Sequence, residues 1–132
     1  MRRMFRKILL ISGFLCLAAP SGFANEAEDL KRGAALYTRC QGCHSLERNR
    51  VGPLHCDILG RKAGSIDDFP YSKSMRESGI IWTEETLDRF LEAPLDFLPG
   101  TTMGYAGIKN VNDRRALILF LASATSNSAN CR

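Results

Sequence analysis

The sequence predicts an all-α protein, with three main helices joined by long loops. Three observations carry that reading. Apolar residues recur at helical spacing in three separate stretches. No stretch alternates apolar and polar residues as a half-buried strand would. The segments 45–82 and 94–111 are rich in Gly, Pro, Ser and Asn and carry no sustained period.

Each helix has its own signals. The first starts at Asn25, where Asn25 and Glu28 make a variant of the capping box. Leu30, Gly33, Ala34 and Tyr37 then share one face. A glycine inside a helix costs about 1 kcal/mol against alanine, so Gly33 is read as a point of close approach to another helix. The middle helix starts at Thr83, with Glu84 and Glu85 well placed against the positive end of the helix dipole. Leu87, Phe90 and Leu91 form its apolar stripe, and Pro94 ends it. The last helix follows Asn112 as its N-cap. Ala116, Leu117, Phe120, Leu121 and Ala124 face inward, while Arg114 and Arg115 face away. The first and last helices are expected to pack crosswise, with Gly33 between them.

The chain's 132 residues suggest one folded domain, preceded by a targeting segment. Arg2, Arg3, Arg6 and Lys7 make a basic start, and residues 8–19 are a short apolar run ending before Pro20. Gly22, Phe23 and Ala24 offer the small residues of a cleavage site. Residues 1–24 are therefore expected to be a secretory signal peptide, leaving 25–132 as the mature domain. No apolar run is long enough for an ordinary membrane-spanning helix, so no stable membrane insertion is expected once the signal is removed.

Cleavage changes the charge argument. The whole chain has 18 basic and 14 acidic residues. The signal holds four of the basic residues and none of the acidic ones, which leaves 14 against 14. A neutral chain has no electrostatic basis for binding nucleic acid. Five cysteines are present. Cys16 leaves with the signal, and export puts Cys56 and Cys131 where disulfides persist. A Cys56–Cys131 bridge is expected over free thiols.

Cys40-Gln41-Gly42-Cys43-His44 carries the chemistry. Cys-x-x-Cys-His is the pattern for covalent haem attachment. Two thiols at this spacing reach the two vinyl groups of one porphyrin, and the adjacent histidine falls over the iron. Three other readings stand beside it. A thioredoxin-like redox pair needs a strand–helix setting, which is absent. A zinc site needs a second close pair of ligands. A Cys40–Cys43 disulfide is also open. Loops wrapped round a large apolar cofactor would account for the long irregular segments.

The wider pattern resembles the class I c-type cytochromes, the mitochondrial protein and its soluble bacterial relatives. The matching residues run in order from Cys40 through Val51-Gly52-Pro53, Gly60-Arg61-Lys62-Ala63-Gly64, Phe69-Pro70-Tyr71-Ser72 and Gly79-Ile80-Ile81-Trp82. They continue through Pro94, Pro99-Gly100-Thr101-Thr102-Met103 and Ala106-Gly107-Ile108. The resemblance implies the cytochrome c fold, with one covalently bound haem c. It implies thioethers at Cys40 and Cys43, with His44 and Met103 as the axial metal ligands. Pro53 then resembles the residue whose carbonyl accepts from the haem histidine. Tyr71 and Trp82 resemble the residues that hydrogen-bond a buried propionate, and Arg61 the one that offsets its charge. Tyr105 takes the family's aromatic position at the exposed haem edge.

With both axial positions filled, no substrate reaches the iron. The implied function is one-electron transfer and not catalysis. The chain would be a monomeric carrier between redox protein donors and acceptors, in the periplasm. Two rivals stand: a dedicated subunit or acceptor of one dehydrogenase, and an enzyme or gas sensor with Met103 labile. The sequence also departs from the family. Phe90 stands where mitochondrial relatives often have a tyrosine that hydrogen-bonds the methionine sulfur. Leu95, Asp96 and Thr102 replace lysines around the haem edge. Polar His55 falls on a usually apolar position and is read as structural.

Overall fold

The computed structural model describes residues 22–131. Residues 1–21 of the expected signal peptide lie outside them. The described chain forms α1 (Gly22–Tyr37), α2 (Lys73–Glu77), α3 (Glu84–Glu92), α4 (Pro94–Phe97), α5 (Val111–Ser123) and a terminal 3₁₀ turn (Ala129–Cys131). Among the described residues the only β pairing is an isolated antiparallel bridge between Lys62 and Ile81. The fold is thus all-α, with α1, α3 and α5 as its three substantial helices.

α1 and α5 pack directly on one another, and the glycine explains how. A Cβ built on Gly33 would stand 2.1 Å from the Ala116 carbonyl oxygen and 2.7 Å from Phe120 Cβ. Only a residue without a side chain lets the two backbones come this close. Arg32 of α1 pairs with Asp113 of α5 beside the contact. Ala116, Leu117, Phe120, Leu121 and Ala124 are buried, as the periodicity predicts.

α3 opens as expected on Thr83. Its hydroxyl accepts from the Thr86 amide at 3.1 Å, and Thr86 Oγ1 accepts from the Thr83 amide at 2.8 Å. These bonds satisfy amides that a helix start would otherwise leave unpaired. Leu87, Phe90 and Leu91 are all buried. Each adds about 1.5–3 kcal/mol of apolar burial.

Several expectations are corrected. α1 is already helical at Gly22, three residues before Asn25, so Asn25 does not cap it. On α1, Ala34 is exposed and Leu36 is buried in its place. The cap of α5 is Asn110 rather than Asn112. Its side chain accepts from the amides of Asn112 and Asp113 at 2.9 and 3.1 Å. Arg114 does not face away: it is 5% exposed. Its guanidinium donates to Asp88 Oδ1 at 2.7 Å and to the Ile108 carbonyl at 2.9 Å. A buried charge is tolerated only when paired and hydrogen-bonded, and α3 and the loop before α5 supply those partners. Segments 45–82 and 94–111 hold the short helices α2 and α4, too brief to show a period.

Candidate haem site

The attachment stretch continues directly from α1. The Cys40 amide donates to the Tyr37 carbonyl at 2.8 Å, and the His44 amide to the Cys40 carbonyl at 2.9 Å. This tight turn puts both thiols and the imidazole on one side of the chain. Arg50 braces it from outside, donating to the Gln41 carbonyl at 2.6 Å. Cys40 and Cys43 are unpaired, so no Cys40–Cys43 disulfide forms. Burial pushes the Cys40 thiol up to about 11, and Arg39 only partly opposes it.

His44 is 8% exposed. Its Nδ1 lies 2.8 Å from the Pro53 carbonyl oxygen. The carbonyl can only accept, so Nδ1 carries the proton and Nε2 keeps its lone pair. Burial pulls the His44 pKa below the usual histidine value, the Pro53 contact working the other way. The ring is therefore a neutral imidazole with one free donor nitrogen, the form a metal requires. Gly52 lies against it: a Cβ there would come within 2.3 Å of the ring.

Across the molecule, the turn at Pro99-Gly100 presents Met103. The Thr101 amide donates to the Leu98 carbonyl at 3.1 Å, and the Met103 amide to Thr101 Oγ1 at 3.3 Å. The Ile108 amide then returns to the Leu91 carbonyl at 2.8 Å, pinning the loop's far end to α3. The isolated bridge sets a third wall. Trp82 and Arg61 are paired through Trp82 N–H to Arg61 C=O at 2.9 Å. Arg61 also donates to the carbonyls of Leu54 at 2.8 Å and Cys56 at 2.9 Å.

These pieces enclose one apolar cavity. All nine residues singled out in the sequence line it: Cys40, Cys43, His44, Pro53, Arg61, Tyr71, Trp82, Met103 and Tyr105. Trp82 is buried, while Tyr71, Arg61, Met103 and Tyr105 are half-buried. Leu87, Phe90, Leu91, Leu117 and Leu121 supply the apolar floor. The residues that the sequence singles out offer two thiols, one imidazole and one thioether. This is what a covalent haem needs, and the neutral His44 with its free Nε2 fits it. Among the described residues no cluster of three or more His, Cys, Asp or Glu could hold a metal ion directly, so the zinc reading has no support here.

Sequence reasoning missed two features, the Arg50 brace and the ring packed on His44. Met75, buried on α2 with its start capped by Ser72, lines the cavity as a second thioether. His55 stacks on His44, with ring centroids 4.2 Å apart and planes inclined by 24°. Burial, then the nearby His44 and Arg61, pull the His55 pKa down to about 3. The Cys56–Cys131 disulfide does form, with Cα atoms 5.9 Å apart.

The comparisons agree with this geometry. No family model matches the chain. It is 40% identical to a cytochrome c of Gibberella zeae over 101 residues, which span 74% of this chain and 95% of that one. It is 39% identical to a cytochrome c2 of Rhodomicrobium vannielii over 120 residues, covering 89% and 94% of the two chains. Among solved structures it resembles cytochrome cH from Methylobacterium extorquens, with a TM-score of 0.69 and 32% identity. That match covers 71% of this chain and 97% of the other. The chain belongs to the class I c-type cytochromes, a family of electron carriers rather than enzymes. Within it, the relatives include both cytochromes c and cytochromes c2.

Proposed function

We propose that this chain is a monohaem c-type cytochrome that moves single electrons between larger redox proteins. One observation carries the reading: Cys40, Cys43, Met103 and a His44 whose Nδ1 is engaged by the Pro53 carbonyl line one apolar cavity. In this reading Cys40 and Cys43 would hold haem c through thioethers, and His44 Nε2 and the Met103 sulfur would bind its iron. The bound haem supplies reversible one-electron chemistry. A neutral imidazole and a soft thioether favour the ferrous state and raise the potential. Pro53 fixes the His44 tautomer. Trp82, Tyr71 and Arg61, which line the same cavity, would bond the propionates, and Tyr105 would lie at the haem edge.

Residues 1–24 act as a signal peptide and 25–132 as the mature, monomeric domain, working in the periplasm. Among the described residues no helix is long and apolar enough to cross a membrane, in keeping with a carrier that diffuses between partners. The oxidised absorption spectrum of the purified, haem-loaded protein tests the ligand set. A weak sulfur-to-iron charge-transfer band at the red end is expected. Its absence, together with carbon monoxide binding to the reduced protein at neutral pH, would overturn the reading in favour of an open iron site.

A further inference from the structure

Behind His44 the rings form a file. His44 stacks on His55 at 4.2 Å. His55 meets the edge of Tyr37 at 5.7 Å. Tyr37 packs on Phe120 at 5.2 Å. Phe120 sits at the α1–α5 crossing, where its Cβ is the near neighbour of Gly33. The file thus runs from the candidate iron ligand to the close α1–α5 contact at Gly33.

Two atoms in it run against ordinary packing. Tyr37 Oη and His55 Nδ1 are buried with no hydrogen-bond partner. A buried polar group left unpaired costs about 1–3 kcal/mol. An aliphatic side chain at position 55 would fill the space without that cost. Hydrogen bonding therefore does not explain His55, whereas its nearly parallel face against His44 does. Offset-stacked rings hold a preferred relative orientation, and aliphatic side chains do not.

The segment carrying His55 is held from outside. Its amide donates to the carbonyls of Ser45 and Leu46, both at 3.1 Å. The next residue, Cys56, is bridged to Cys131. Asp57 then clasps the chain's last turn: its amide donates to the Ala124 carbonyl at 2.9 Å, and its Oδ1 accepts from the Ser126 amide at 3.0 Å.

We propose that His55 is a positioning residue, which sets the plane of the His44 ring by stacking on it and refers that plane to the α1–α5 crossing through Tyr37 and Phe120. The inference rests on His44 being an axial ligand. Its consequence is electronic: the ligand plane fixes how spin density spreads over the oxidised haem. A ring that rocks would broaden that distribution and loosen the Nδ1 bond to Pro53.

The test uses haem-loaded wild type, His55→Leu and His55→Phe. Leu keeps apolar volume without a ring face, and Phe restores the face without a nitrogen. Paramagnetic NMR of the oxidised protein reads the haem methyl shift pattern, which follows the ligand plane. Exchange of the His44 Nδ1 proton reads the hold on the ring. His55→Leu should redistribute the methyl shifts and exchange that proton about three- to tenfold faster. His55→Phe should return both towards wild type. Wild-type shifts and exchange in His55→Leu would overturn the proposal. So would a His55→Phe variant as altered as His55→Leu. A wild type lacking bound haem or the red-end band would instead sink the ligand assignment itself.

Discussion

At the scale of single residues, the site is a set of side chains whose free atoms are aimed inward by bonds made elsewhere. His44 offers Nε2 because Nδ1 is engaged by Pro53. Met103 is offered by a turn closed on Leu98 and Thr101. The thioether is held by its loop and not by any covalent tie, so it is the replaceable part. Met103→Ala should leave the haem attached through Cys40 and Cys43 while the potential falls and an external ligand gains access. Loss of the red-end band with new carbon monoxide binding is the expected readout. A surviving band would point to Met75, the other thioether lining the cavity. Most of this scale is legible in the sequence, because attachment thiols, imidazole and loop methionine each sit in a short local motif. Arg114 and His55 are not legible. A charged residue on a helix reads as surface until Asp88 is seen beside it. A stacked pair eleven residues apart in sequence exists only once the loop between them has closed.

At the scale of helices, the decisive contact is α1 on α5. The sequence shows both apolar faces and the glycine, yet misses the phase of α1 at Ala34 and the true start of α5. Phase slips easily over a short helix where small residues blur inside and outside. Caps depend on side-chain geometry, and Asn110 and Asn112 are equivalent on paper. The short helices α2 and α4 are missed for want of length. Gly33→Val should force α1 off α5, since even a Cβ would stand 2.1 Å from the Ala116 carbonyl oxygen. Overpacking of this kind costs about 1–3 kcal/mol or more. For a domain of this size the Tm should fall by roughly 5–15 °C. Thermal unfolding of the haem-loaded variant measures it, and an unchanged Tm would show that the crossing is adjustable.

At the scale of the molecule, the chain closes on itself twice, once round the cavity and once through Cys56–Cys131. The bridge spans a sequence separation of 75. Closing a loop of that length stabilises a fold by about 4 kcal/mol in the chain-entropy model. The Cys56→Ser/Cys131→Ser double variant should lose most of this in denaturant unfolding while keeping its ligand-set spectrum. A spectrum that collapsed along with stability would show that the tail strap is needed to form the site at all. The folded exterior also bears on docking. Arg50 is committed to the attachment turn, and Leu95 is 53% exposed. If the chain docks a redox partner through this edge, apolar contact should carry more of the affinity than steering by charge, and a shallow salt dependence of the electron-transfer rate is the expected readout.

The disulfide has a further consequence, for assembly. In the proposed reading, thioether attachment would consume Cys40 and Cys43 as reduced thiols, whereas the bridge requires Cys56 and Cys131 to be oxidised. Four cysteines allow three complete pairings, and one of them alone leaves a productive partner for haem loading once the attachment pair is reduced again. The two that cross-link Cys40 or Cys43 to the tail pair are dead ends. On that reading, loading would be a race between oxidation and attachment within a single chain. A chain with one tail cysteine removed carries an orphan thiol that competes for Cys40 or Cys43, so it should mature worse than a chain with both removed. Haem yield per chain, compared between Cys131→Ser and the double variant, reads the outcome of that race.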